Sequence, residues 1–203
     1  MYLSKSSYLI KKYYQKLLWE IPNAENKIYL TFDDGPTPEV TEWTLKTLKQ
    51  YNIKATFFCI GNNIEKHPNI FEQIKKEGHQ VANHTQEHNN GWKTKNEAYY
   101  DSINKCQQLT QTNLFRPPYG RIRKSQASKL VQDYKIVMWS VLSGDFDPKT
   151  APEKCLKNVT KHTQSGSIIV FHDSVKAFDK LQYALPKAIE YLLAKGFVFD
   201  VIR

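Results

Sequence analysis

Short apolar runs alternate with longer polar, helix-periodic segments along this 203-residue chain, and no other feature restricts its fold as much. The runs are 27–32, 55–60, 80–83, 114–116, 135–142, 167–171 and 197–202. Helix-like segments lie between them. One opens at Thr37-Pro38-Glu39, where Thr suits a cap, Pro the first helical position and Glu the positive end. A second spans about Asn63 to Glu77 and stops at Gly78, and others cover roughly 95–110, 124–133, 152–163 and 179–195. Strands that alternate with helices form a parallel sheet, because parallel neighbours need a crossover element. The expected class is therefore α/β with about seven parallel strands. An open doubly wound sheet and a rolled-up barrel both satisfy the pattern, which is one unit short of the eightfold barrel.

The chemically active side chains fall just beyond these runs. Asp33 and Asp34 follow the first and precede the turn Gly35-Pro36; His84 and His88 follow the third. Arg116-Pro117-Pro118-Tyr119-Gly120 ends the fourth, Asp145 follows the fifth, and His172-Asp173 follows the sixth. The carboxyl edge of a parallel sheet is where α/β folds build their sites. Adjacent carboxylates repel, so Asp33 and Asp34 call for a compensating cation. His84 and His88 are four apart, which places both imidazoles on one face of a helical turn. With one carboxylate they make a zinc-type set of three ligands and leave a position for water. The other acid is then free to act as a base, and His172 is suited to protonate a leaving group near neutral pH. The bland alternatives are that Asp173 only caps the next helix and Arg116 only pairs with a carboxylate; His67, His79 and His162 are read as surface or structural.

Composition narrows the partners. The net charge of +9 would suit an anionic polymer or surface, but no nucleic-acid-binding module is present and the lysines are spread over many helices. No apolar stretch reaches the ~18 residues of a transmembrane helix. Residues 1–10 lack the apolar core of a cleavable signal, which makes the cytoplasm the default expectation and leaves export open. Three widely spaced cysteines argue against a disulfide framework and a thiolate metal site. Residues 1–26 stand apart, and 8–19 read as a basic, aromatic amphipathic helix packed on the barrel or a sheet edge, with membrane-surface contact as the alternative.

Thr31-Phe32-Asp33-Asp34-Gly35-Pro36, His84-Thr85-Gln86-Glu87-His88, Arg116-Pro117-Pro118-Tyr119-Gly120 and Val170-Phe171-His172-Asp173 resemble, in order, the motifs of the polysaccharide deacetylases, the NodB-homology enzymes of carbohydrate esterase family four. The resemblance covers about 27–202 and implies a distorted, incompletely closed (β/α) barrel as a catalytic domain over 27–203. It implies a divalent metal, usually zinc and sometimes cobalt or another ion, and hydrolysis of N-acetyl groups on an amino-sugar polysaccharide or oligosaccharide. On this basis Asp33 is the general base, Asp34, His84 and His88 hold the metal, and His172 is the general acid. Arg116 orients Asp33, and the Tyr119 N–H binds the oxyanion. Pro118, Tyr119, Phe146 and Val170 are expected to meet substrate, with Val170 in place of the usual leucine. One motif departs: Leu142 stands where the family often has an acid, and Phe146 where it has Trp. Asp145 keeps the second acid position, from which it can pair with His172. A monomer acting on a carbohydrate is expected. A same-fold amidohydrolase acting on a small amide or imide is the alternative; a non-catalytic binder would need neither Asp33 nor His172.

Overall fold

The computed structural model describes residues 3–203. Its centre is β1 (Lys27–Asp33), of which every residue after Lys27 is buried. On one edge β1 pairs with β7 (Ile168–His172), from Tyr29 opposite Ile168 to Asp33 opposite His172. The other edge is shared: β8 (Val198–Asp200) pairs with its first half and β2 (Thr56–Cys59) with its second. The sheet continues from β2 through β3 (Gln80–Asn83) and β4 (Leu114–Phe115) to β5 (Lys135–Ile136), and from β7 to β6 (Val141–Leu142). Every strand pair is parallel.

Side chains of β1 alternate between two environments, as a strand covered on both faces requires. Ile28, Leu30 and Phe32 face outward into the largest core cluster, against Leu45 and Leu48 of α2 (Val40–Gln50) and Leu181 and Leu185 of α8 (Phe178–Ala194). On the opposite face Tyr29 packs with Phe58, Val137 and Ile168 in the barrel interior. Thr31 shares that face, and its hydroxyl donates to the Ile169 carbonyl at 2.8 Å.

The run 135–142, read from the sequence as one strand, is two. β5 and β6 are the two ends of the sheet, and residues 137–140 cross the opening between them. Val137 N–H donates to the Phe115 carbonyl at 2.8 Å, whereas Ser140 N–H donates to Ile168 at 3.1 Å. A segment that hands its hydrogen bonds from one sheet end to the other cannot keep a single partner, so this one run supplies two short strands of the expected parallel, incompletely closed barrel. The N-terminal segment seals the same opening: Leu18 N–H bonds to Ile136 and receives Met138 N–H, and the Ser4 carbonyl receives Leu142 N–H. Edge strands are thereby covered. The helix in this segment is short, α1 (Tyr8–Tyr13), with Tyr8 and Leu9 exposed, while Leu17 and Trp19 beyond it are buried against Ile136 and Met138. Among the described residues no helix is long and apolar enough to cross a membrane.

Helix boundaries also shift. The segment expected at 63–77 is α3 (Gly61–Lys66) and α4 (Pro68–Lys76), broken at His67. Pro68 has no N–H to give and biases His67 away from helical backbone (φ −132°, ψ 54°). α2 starts at Val40 rather than at Thr37-Pro38; Glu39 precedes it with φ +64°, and its N–H donates to the Glu42 carboxylate at 2.9 Å. The remaining helices, α5 (Asn96–Thr110), α6 (Lys124–Leu130) and α7 (Pro152–His162), lie close to their expected positions.

Candidate active site

Asp33 ends β1 and His172 ends β7, and the register makes them direct neighbours. Asp34, His84, Arg116 and Asp145 follow β1, β3, β4 and β6. The carboxyl edge thus opens into a cleft of about 320 Å³, lined by Asp33, Asp34, His84, His88, Tyr119, Val170 and His172 among others.

Asp34, His84 and His88 each offer one ligand atom, and these atoms all lie within 4.8 Å of one another. The imidazoles do not converge through a helical turn. Residues 84–88 form an irregular loop in which Thr85 and His88 adopt left-handed backbone, with φ of +64° and +58°. Asn83 holds that loop: its side chain accepts from Thr85 N–H at 2.9 Å and donates to the Ile103 carbonyl at 2.8 Å. Asp34 is also left-handed (φ +81°), and its carbonyl accepts from the Asn63 side chain at 2.7 Å.

His84 Nδ1 is 2.8 Å from the Arg116 carbonyl, so this nitrogen carries the proton and Nε2 presents a lone pair to the cleft. Burial pushes the His84 pKa down to about 4 and keeps the ring neutral. Its Nε2 is 3.7 Å from Asp34 Oδ1, and His88 Nε2 is 3.1 Å from the same oxygen. That oxygen is buried and takes no hydrogen bond. Burial works against the Asp34 charge, but His88, His172 and His84 outweigh it and hold the carboxyl well below the usual range. The Asp34 oxygen facing the His84 lone pair is repulsive by itself; a cation between them turns that contact favourable, and His88 Nε2 lies within reach of the same ion. The donor set therefore fits a divalent metal.

Asp33 is held from the opposite side. Arg116 is fully buried, and its Nη1 donates to Asp33 Oδ1 at 2.6 Å and to Thr31 Oγ1 at 2.8 Å. Nε and Nη2 donate to the carbonyls of Val137 and Met138 at 3.2 and 3.0 Å. The guanidinium lies 3.9 Å over the Phe58 ring, and so fills the barrel interior while fixing one oxygen of Asp33.

His172 is matched to Asp145. Its Nδ1 is 2.8 Å from Asp145 Oδ1, and its backbone N–H donates to Oδ2 at 2.8 Å. Burial lowers the His172 pKa, but the Asp145 charge and hydrogen bond, aided by Asp34 and Asp33, raise it to about 9. Phe146 packs against the His172 ring with centroids 5.1 Å apart, and Val170 pairs with Leu142 beneath the cleft.

Tyr119 has left-handed backbone (φ +61°) and an exposed ring 4.5 Å from that of His88. Pro118, expected to meet substrate, is buried and does not line the cleft; its carbonyl accepts from Arg121 N–H at 3.1 Å and shapes the turn. Asp173 does not cap the following helix. Its Oδ1 accepts Gly35 N–H at 3.0 Å and its Oδ2 accepts the Thr41 hydroxyl at 2.6 Å, which pins the loop after Asp34. Gly35 is required there, since a Cβ would fall 2.0 Å from Asp173 Oδ2. Trp139, Arg121 and Lys176 also line the cleft, and no motif in the sequence marks them. Lys176 Nζ lies 3.3 Å from Asp34 Oδ2. His79 is buried, with Nδ1 accepting Ala55 N–H at 3.2 Å, and is structural.

The family model described as polysaccharide deacetylase matches residues 20–139, more than half of the chain. Two curated relatives from Bacillus cereus (strain ATCC 14579) are named peptidoglycan-N-acetylglucosamine deacetylase. One is 38% identical and covers 79% of this chain and 63% of its own length. The other is 33% identical, with 91% and 90% covered. A chitooligosaccharide deacetylase of Azorhizobium caulinodans is 32% identical over 75% of this chain and 76% of its own. Among solved structures, the Bc1960 peptidoglycan N-acetylglucosamine deacetylase superposes with a TM-score of 0.89 at 33% identity, covering 97% of this chain and 95% of that one. Matched motifs, parallel barrel and agreement over almost the full length lead to one assignment: the chain belongs to the polysaccharide deacetylase family.

Proposed function

We propose that this protein is a metal-dependent hydrolase that removes N-acetyl groups from an amino-sugar polysaccharide or oligosaccharide, of chitooligosaccharide or peptidoglycan type, and releases acetate. One observation carries the reading: the unbonded Asp34 oxygen and two imidazoles share a cleft with the Asp33–Arg116 and His172–Asp145 pairs. Asp34, His84 and His88 hold the ion, and two nitrogens with one carboxylate oxygen suit zinc. When bound, a divalent ion acidifies water and polarises the acetyl carbonyl.

The protein's own groups supply proton transfer and orientation. Asp33 takes a proton from the attacking water as the new C–O bond forms. Arg116 holds one oxygen of that carboxylate in place. The Tyr119 N–H stabilises the oxyanion, as preorganised donors do. His172, kept protonated by Asp145, donates to the nitrogen as the C–N bond breaks, because an amine anion leaves very poorly. Phe146, Val170 and Tyr119 border the acetyl group. Residues 27–203 form the catalytic domain, the described part of the segment 1–26 packs upon it, and the protein acts as a monomer.

Acetate release from chitooligosaccharides and peptidoglycan fragments, with chelator and with added zinc, tests the reading. Release that chelator abolishes and zinc restores is expected. No acetate from either substrate by the zinc-loaded protein would overturn it.

A further inference from the structure

The acids that line the cleft, Asp33 and Asp34, are engaged by Arg116 and by the two imidazoles. Arg121 also lines the cleft, with an exposed side chain and no ion pair to a carboxylate among the described residues. It is nevertheless held in place. Its guanidinium lies 5.1 Å from the centroid of the Trp92 ring. That ring is fixed in turn, since Trp92 Nε1 donates to the Ile122 carbonyl at 3.1 Å and the Trp92 carbonyl accepts from Arg123 Nη2 at 2.7 Å. Gly91 N–H donates to the Arg121 carbonyl at 3.1 Å, and a Cβ on Gly91 would fall 2.5 Å from that oxygen, so the two loops are tightly joined.

A cation held against an anchored indole at the border of a cleft is preorganised for an anion. The guanidinium fork matches a carboxylate with two parallel, charge-assisted hydrogen bonds, a gain that a hydroxyl does not offer. We propose that Arg121 is a specificity-determining residue that selects glycans bearing a carboxylate on the sugar next to the N-acetylated one. This rests on the deacetylase reading above. Trp92 acts through Arg121 as its positioning residue.

The test compares two tetrasaccharides. One consists of N-acetylglucosamine alone; in the other, alternate sugars carry a lactyl carboxylate. The readout is the ratio of their kcat/KM values for zinc-loaded wild type, Arg121→Gln and Arg121→Lys, with melting temperatures as a check on folding. Arg121→Gln is expected to cut the preference for the acidic substrate roughly fivefold, and Arg121→Lys to cut it less. Salt at about 0.5 M should reduce the wild-type ratio and leave that of Arg121→Gln nearly unchanged. A ratio that Arg121→Gln does not alter, or an equal loss on both substrates, overturns the proposal while the deacetylase reading stands. Acetate from neither substrate with wild type overturns both.

Discussion

His172 and Asp145 are bonded twice, once through the imidazole Nδ1 and once through the backbone N–H of His172, each at 2.8 Å. The carboxylate thereby fixes the ring's orientation as well as its charge. With its pKa raised to about 9, His172 is protonated at neutral pH and loses its acid function as pH rises through that value. Asp145→Asn removes the charge but keeps the shape. Its kcat profile is expected to lose activity at lower pH, toward the ordinary imidazole value of about 6.5. A descending limb at the same pH in both proteins would show that His172 is not the acid or that Asp145 does not set its charge. The same shift stabilises the fold fully below pH 6.5, and the contribution fades as pH rises through about 9.

Asp33→Asn should lower turnover by about 10²–10⁴-fold, the typical contribution of a positioned base, with metal content unchanged. Single-turnover acetate release together with metal analysis checks this. Wild-type rates in the variant would contradict the assignment of Asp33 as base.

Arg116→Met strips the Val137 and Met138 carbonyls of their donors and leaves Asp33 buried without its counter-charge. Breaking a buried pair in this way typically costs about 3–5 kcal/mol. Chemical denaturation is the measurement, and a change below ~1 kcal/mol would show that the barrel interior does not depend on this side chain.

The architecture was legible because each strand is a short, doubly covered apolar run and each active group stands at the end of one. Asp33 and His172 needed only correct strand ends to become neighbours. The crossing at 137–140 was not legible, since a segment that changes hydrogen-bond partners keeps the same apolar composition as a strand. Nor was the loop that carries His88: a spacing of four suits a helical turn equally well, and the left-handed backbone at Thr85 and His88 depends on Asn83 bonds that only the folded chain makes. Arg121 and Lys176 escaped notice among many surface cations because only closure of the barrel brings them to one cleft.

Asp173→Ala should destabilise the protein by about 1–3 kcal/mol, because the Gly35 N–H loses its acceptor inside the fold. Thr41 loses its partner as well. The loop carrying Asp34 is then released, so metal affinity should fall with stability. Calorimetric titration with zinc on the folded variant checks this, and wild-type affinity would show that Asp173 does not hold Asp34 in place.

Elemental analysis after zinc loading and exhaustive dialysis, on wild type and His88→Ala, tests whether Asp34, His84 and His88 hold one divalent ion between them. One zinc per wild-type chain and a clear loss in the variant are expected. Equal zinc in both proteins, or none in wild type, would contradict a shared site.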